Sequence, residues 1–191
     1  MKVFITGGCK NGKSTYAEKI ALALAGAVAP CFYVATMKPM DAEDEERIVR
    51  HKESRKGLGF ETVEWQVDIG SLANHYDHKG AFLLDSTTAL LANEMFTING
   101  EVYETNFTAP EKVMDELDQV MEGVANVVVV SDYMYADTAF YDDATETYRR
   151  GLSLVDQWCA AKCDVVIEVC HGQLIFYKGE TLMEGIYETM G

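Results

Sequence analysis

The chain has 191 residues, 48% of them hydrophobic, and a net charge of −15. That length suits one α/β domain, spanning residues 1–191, with a full core, and so apolar a composition excludes a disordered chain. The negative balance excludes broad nucleic-acid or anionic-membrane binding and leaves room only for a local basic pocket. No stretch reaches the ~18 apolar residues of a membrane span, and the first residues lead straight into a strand without a signal-peptide pattern. Five cysteines without paired spacing point to a reducing cytoplasm.

Residues 1–6 read as a short buried strand, and 15–25 as a helix with Ala17, Ile20, Ala21 and Leu24 on one stripe. Between them Gly7, Gly8, Cys9, Lys10, Asn11, Gly12, Lys13 and Ser14 fit G-x-x-x-x-G-K-[ST] at every fixed position. Such a loop turns a strand into a helix, so that backbone N–H groups and the helix dipole converge on an anion. Its pattern predicts that Lys13 reaches the β- and γ-phosphates and that the Ser14 hydroxyl ligates Mg²⁺. Gly7 to Thr15 are the expected nucleotide contacts. Cys9 lies inside the loop, where oxidation would block nucleotide binding.

A second strand is expected at 31–36, returning parallel to the first. Residues 41–55 predict a helix with acids early and bases late, as the macrodipole favours. Only Ile48 and Val49 are strongly apolar there, so the helix is expected to be exposed: a solvated charged helix, or a functional one carrying His51, Lys52 and Arg55 at its basic end. A strand follows at 61–65, a weak helix at 69–76, and an apolar strand at 81–85. Asp85 ends that strand, as an acid holding the water shell of Mg²⁺ would, or as a turn residue before the helix 89–96. A polar insert, 97–110, has a turn at Asn99-Gly100 between two extended pieces.

A helix is expected over 111–124, then the most strand-like run of the chain, 126–132, apolar enough to be central and covered on both faces. Its last residue, Asp132, rivals Asp85 as the metal's acidic partner. A loop rich in Tyr and Asp, 133–143, leads to a long helix, 144–161, a strand at 164–170 and an antiparallel partner at 173–179. The aromatic residues Tyr133, Tyr135, Phe140 and Tyr141 suggest a substrate pocket or, by preference, a subunit contact. Cys159 and Cys163 are expected in the core, and His75, His78 and His171 at the surface.

Several of these stretches together resemble the bifunctional adenosylcobinamide kinase / adenosylcobinamide-phosphate guanylyltransferase family. The resemblance runs from Thr6 to Ser14, close to T-G-G-x-x-S-G-K-S, through Tyr33-Val34-Ala35-Thr36, like Y-[IV]-A-T. It is strongest in residues 47–55, which fit R-I-x-x-H-x-x-x-R, and continues through Trp65, Leu83-Leu84-Asp85, Asn93, Tyr148-Arg149 and Gln157. It implies a three-layer, RecA-like P-loop fold, with a mostly parallel sheet and an antiparallel edge, assembled as a trimer with the active site between subunits. It implies that His51 becomes guanylylated, that Lys52 or Arg55 stabilises the phosphate charge, and that Ser14 and Asp85 serve the Mg²⁺. GTP and ATP are the implied nucleotides and a corrinoid the second substrate.

The chain departs from the family after its central strand. Ser131 to Ala136 replace N-E-V-G-x-G, and Ser153 and Asp156 replace the Gly and Asn of G-x-x-N-Q. Two alternatives share the phosphate loop: a small-molecule kinase or NTPase without guanylyl transfer, and a nucleotide-binding assembly protein without turnover.

Overall fold

A computed structural model describes residues 1–39, 41–99 and 102–187. Nine strands form among them: β1 (Lys2–Gly7), β2 (Cys31–Ala35), β3 (Phe60–Glu64), β4 (Ala81–Asp85), β5 (Phe96–Asn99), β6 (Val102–Thr105), β7 (Asn126–Asp132), β8 (Val165–Cys170) and β9 (Gln173–Lys178). The helices are α1 (Lys13–Ala25), α2 (Ala42–Ser54), α3 (Thr87–Met95), α4 (Ala109–Gly123), α5 (Asp143–Lys162) and α6 (Glu184–Tyr187). Seven strands build one sheet in the order β3-β2-β4-β7-β1-β8-β9. Every pairing in it is parallel except β8 with β9.

The apolar runs explain this order. Val127, Val128, Val129 and Val130 of β7 are all buried, so β7 needs cover on both faces and takes the middle of the sheet. Alternation then sorts the side chains. Val3, Ile5, Tyr33, Leu83, Val128 and Val130 meet Ala17, Ile20 and Ala21 of α1 on one face. Phe4, Phe32, Phe82, Leu84, Val127 and Val129 meet α3, α4 and α5 on the other. The result is a three-layer α/β fold, a mostly parallel sheet with one antiparallel edge and helices on both faces. β9 closes the edge through a two-residue turn in which His171 and Gly172 both take positive φ, 50° and 73°, as a type I′ hairpin requires.

Caps set the helix starts. Asp41 accepts a hydrogen bond from the Asp44 amide at 2.9 Å and Asp142 one from the Thr145 amide at 2.8 Å, satisfying donors a helix leaves open. Pro110 occupies the first turn of α4, where its missing N–H costs nothing.

The expected weak helix is a 3-10 turn, Ile69–Asn74. It is held from outside: Glu94 accepts from the Asp68 amide at 2.8 Å and Glu116 from the Ile69 amide at 3.0 Å. The Lys112 ammonium sits between these carboxylates, 2.6 Å from Glu94, 2.7 Å from Asp68 and 3.7 Å from Glu116. The polar insert forms the antiparallel pair β5–β6; the turn expected at Asn99-Gly100 reaches outside the described residues. Cys159 and Cys163 are fully buried in the core.

Phe82 is wholly buried and stacks on Phe32 with 4.8 Å between ring centroids. Phe82→Ala should cost about 3–5 kcal/mol in urea denaturation. Val28→Ala, at a position 99% exposed, should stay within about 0.5 kcal/mol.

Candidate active site

The phosphate-loop sequence lies where its chemistry needs it, between the carboxyl end of β1 and the first turn of α1. In the sheet register Gly7 stands beside Asp132 of β7 on one side and Val169 of β8 on the other. A Cβ on Gly7 would come within 2.6 Å of the Val169 carbonyl oxygen, so no larger residue fits there. Gly12 caps α1 at φ 93°, a conformation that costs other residues strain. The Asn11 amide bonds to the Val169 carbonyl and its oxygen accepts from the Lys13 N–H at 3.3 Å, which holds the loop closed on β8. Gly8 and Ser14 are half-buried, while Cys9, Lys10, Gly12 and Thr15 are exposed.

Lys13 is 5% exposed. Its ammonium bonds to the Gly8 carbonyl at 3.1 Å and forms an ion pair with Asp132. Asp132 and Asp85 both close strands whose preceding inward residues, Val130 and Leu83, face α1. Alternation therefore turns both carboxylates to the α1 side. They differ in distance from the loop. Asp132 is on the strand beside β1, whereas β7 separates Asp85 from it, two strand spacings or about 10 Å. Asp85 accepts the Tyr33 hydroxyl at 2.5 Å.

The polar residues behind these acids tie the loops at the carboxyl edge. Thr36, fully buried, donates to the Ser86 carbonyl at 2.8 Å and accepts the Ser86 N–H at 2.7 Å. The Asn93 amide donates to the carbonyls of Thr36 at 2.7 Å and Gln66 at 2.9 Å. The Tyr148 hydroxyl donates to the Thr88 carbonyl at 2.9 Å. Gln157 has a local role, bonding Ser153 at 3.0 Å.

Helix α2, which carries His51, is tied to β3 and β2 through the neighbouring residues. Lys52 forms an ion pair with Glu64, the last residue of β3, and the Arg55 guanidinium lies 3.5 Å over the Tyr33 ring on β2. His51 is exposed, as expected, and so is Lys52. Arg55 differs from expectation: it caps the helix and is only 5% exposed, because the helix ends over the sheet. Beyond β7, the Tyr133 hydroxyl donates to Glu168 at 2.9 Å, and Arg149 holds the following loop by a bond to Asp137 at 3.0 Å while pairing with Glu146 on its own helix at 2.6 Å. Tyr33 is marked in the sequence only by the Tyr33-Val34-Ala35-Thr36 likeness, which assigns it no role at the site.

A glycine-bound strand-to-helix loop whose buried lysine pairs with a strand-end acid defines a P-loop nucleotide-binding protein. The model of the family described as cobinamide kinase / cobinamide phosphate guanyltransferase matches residues 3–176, and the chain belongs to that family. It is 28% identical over 179 residues to the bifunctional adenosylcobalamin biosynthesis protein CobU of Salmonella typhimurium, covering 90% of this chain and 97% of that one. The Escherichia coli protein of the same name is 31% identical over 132 residues, covering 69% and 65%. Among solved structures, the KaiC-like protein PH0186 of Pyrococcus horikoshii superposes with a TM-score of 0.49 at 14% identity, covering 93% of this chain and 78% of that one. The flagellar accessory protein FlaH of Methanocaldococcus jannaschii gives a TM-score of 0.44 at 12% identity, covering 92% and 77%.

Asp156 is 4% exposed and accepts the Tyr135 hydroxyl at 2.8 Å. Burial pushes its carboxyl up to about 6. The folded chain thus holds this proton more tightly than the unfolded chain, whose Asp titrates near 4, so stability falls as pH rises from about 4 through about 6. The gap between those two midpoints sets a ceiling of about 3 kcal/mol. Asp156→Asn should match the parent in denaturant titrations at pH 4 and exceed it by about 2 kcal/mol at pH 8; a gap that does not change with pH would reject this origin.

Proposed function

We propose that this protein phosphorylates adenosylcobinamide with ATP or GTP and transfers GMP from GTP to adenosylcobinamide phosphate, through a guanylyl group carried on His51. The observation that carries this reading is the exposed His51 on α2, a helix tied to β3 and β2, together with a complete phosphate loop. The family match over residues 3–176 supports it.

In the kinase step the acceptor hydroxyl oxygen attacks the γ-phosphorus, the bond to the β-phosphate oxygen breaks, and the hydroxyl proton is released. Lys13 leaves Asp132 and the Gly8 carbonyl for phosphate oxygens, while the loop amides and the α1 dipole hold the rest. In the transfer step a neutral His51 nitrogen attacks the α-phosphorus of GTP and pyrophosphate leaves. A phosphate oxygen of the acceptor then attacks the same phosphorus and frees His51. Lys52, exposed beside it, supplies charge to the phosphoryl group.

Ser14 and Asp85 offer the hard oxygen donors that suit Mg²⁺. Ser14, at the head of α1, fits direct contact, and Asp85, two strands off, fits contact through water; Asp132 faces Lys13 instead. When bound, Mg²⁺ would neutralise charge on the β- and γ-phosphates.

We also infer a cytoplasmic homotrimer. The surface loop between β7 and α5 supports an assembly contact, since it presents Phe140 at 102% and Met134 at 54% exposure. The same loop has lost the glycines of the family pattern. That observation favours, as second reading, a kinase or NTPase that keeps the phosphate loop and not the transfer.

Incubation with Mg²⁺ and GTP labelled on the α-phosphate should leave acid-labile, alkali-stable label on the protein, absent from His51→Ala; γ-label should not be retained. Folded protein that binds GTP yet takes no α-label would reject guanylylation and leave the second reading in front. Lys13→Ala should reduce both γ-transfer and labelling by about a hundredfold or more, measured as initial rates.

A further inference from the structure

Four polar residues from four elements meet on the α1 face of the sheet. Tyr33 on β2 is buried and its hydroxyl is 2.5 Å from Asp85 on β4. Arg55, at the end of α2, lies flat on the Tyr33 ring at 3.5 Å, and its Nε and Nη1 have no hydrogen-bond partner. Glu18 on α1, one helical turn after Ser14, is half-buried; burial raises its carboxyl while the charge of Arg55 lowers it and that of Asp85 raises it. A guanidinium this enclosed gains from the ring face and from the two acids near it. Its stack on Tyr33 packs the end of α2 against β2.

The position along α2 gives this contact its consequence. His51 precedes Arg55 by four residues, one turn away on the same side of the helix. Val49 is 57% exposed and Ile48 only half-buried, so the helix has little apolar anchorage of its own. Among the described residues, two cationic side chains tie it to the sheet. The pair of Lys52 with Glu64 is exposed and worth little, whereas the stack of Arg55 on Tyr33 is buried.

We propose that Arg55 is a positioning residue and not a nucleotide ligand: stacked on Tyr33, it sets the place of His51 relative to the strand that carries Asp85. Tyr33 serves both partners, with its ring under Arg55 and its hydroxyl orienting the Asp85 carboxylate. This rests on the guanylyl-transfer reading above, but its tests do not all require that reaction.

Arg55→Lys keeps the charge and loses the flat stack. It should speed amide hydrogen exchange across 48–54 by about tenfold and slow α-label uptake at saturating GTP by about ten- to a hundredfold. Affinity for a non-hydrolysable GTP analogue with Mg²⁺ should stay within about twofold. Tyr33→Leu removes the other half of the stack and should reproduce the exchange effect even if Arg55→Lys folds poorly. Tyr33→Phe keeps the ring; α2 exchange should match the parent, and the Mg²⁺ needed for half-maximal analogue binding should rise about threefold or more. Loss of analogue affinity in Arg55→Lys with α2 exchange unchanged would make Arg55 a phosphate contact and overturn the proposal. Unchanged exchange in both Arg55→Lys and Tyr33→Leu would do the same. If the parent takes no α-label, the transfer reading fails by itself, and the exchange and binding arms still decide the anchor.

Discussion

The parallel register at the carboxyl edge is the constraint on which the site depends. Gly7 is level with Asp132 and Val169, and Ala35 with Asp85. Because strand side chains alternate, a slip of one residue in β7 would turn Asp132 to the α3–α5 side and leave Lys13 enclosed without a counter-charge. The slip is opposed at the strand ends, where it would draw Asn126 into the fully buried place of Val127 or Asp132 into that of Ser131. The apolar core thereby sets the electrostatics of the edge, although it contributes no polar atom to it.

Several residues shared with the family pattern are explained by this edge without any chemistry. Thr36 bridges the ends of β2 and β4, and Asn93 gathers the segments after β2 and β3. Each satisfies backbone groups that the sheet leaves open where its strands stop. An unpaired buried group of this kind costs about 1–3 kcal/mol, so the loops around the nucleotide stay in place only while these side chains are present. The family likeness is therefore partly a record of how the loops are held, and on the proposed function only Lys13, Ser14 and His51 would be a record of reacting groups.

The elements with strong periodicity were legible in the sequence. The valine run of β7, the strand–loop–helix of β1 and α1, and the capped helix α5 all follow from local pattern, and the central place of β7 from its lack of polar positions. What stayed hidden depended on distant partners. The turn at Ile69–Asn74 is held by Glu94 and Glu116, carboxylates 26 and 47 residues away from the amides they accept. Charge patterning correctly made α2 an exposed helix, but it counted Arg55 among the exposed bases. Nothing in residues 41–55 shows that the helix ends over Tyr33, and a residue's burial is decided by where the chain lands. Asp85 and Asp132 looked equivalent because each ends an apolar strand; only the strand order separates them.

The same order has an electrostatic consequence. Lys13 already has Asp132 as its partner, and Asp85 and Glu168 stand on nearby strands in a chain of net charge −15. A triphosphate entering the loop must compete with Asp132 for one ammonium while approaching these carboxylates. The loop amides and the α1 N-terminus provide partial charge over the first turn only. Two charges at 4 Å interact by about 4 kcal/mol at an effective dielectric of 20, so each acid left uncompensated opposes binding by an amount comparable to a good phosphate contact. On the proposed function the site can therefore favour a nucleotide that arrives with its own divalent cation over the free anion. Discrimination between the two then comes from the acids, with the lysine serving to place the phosphates once the cation has met their charge.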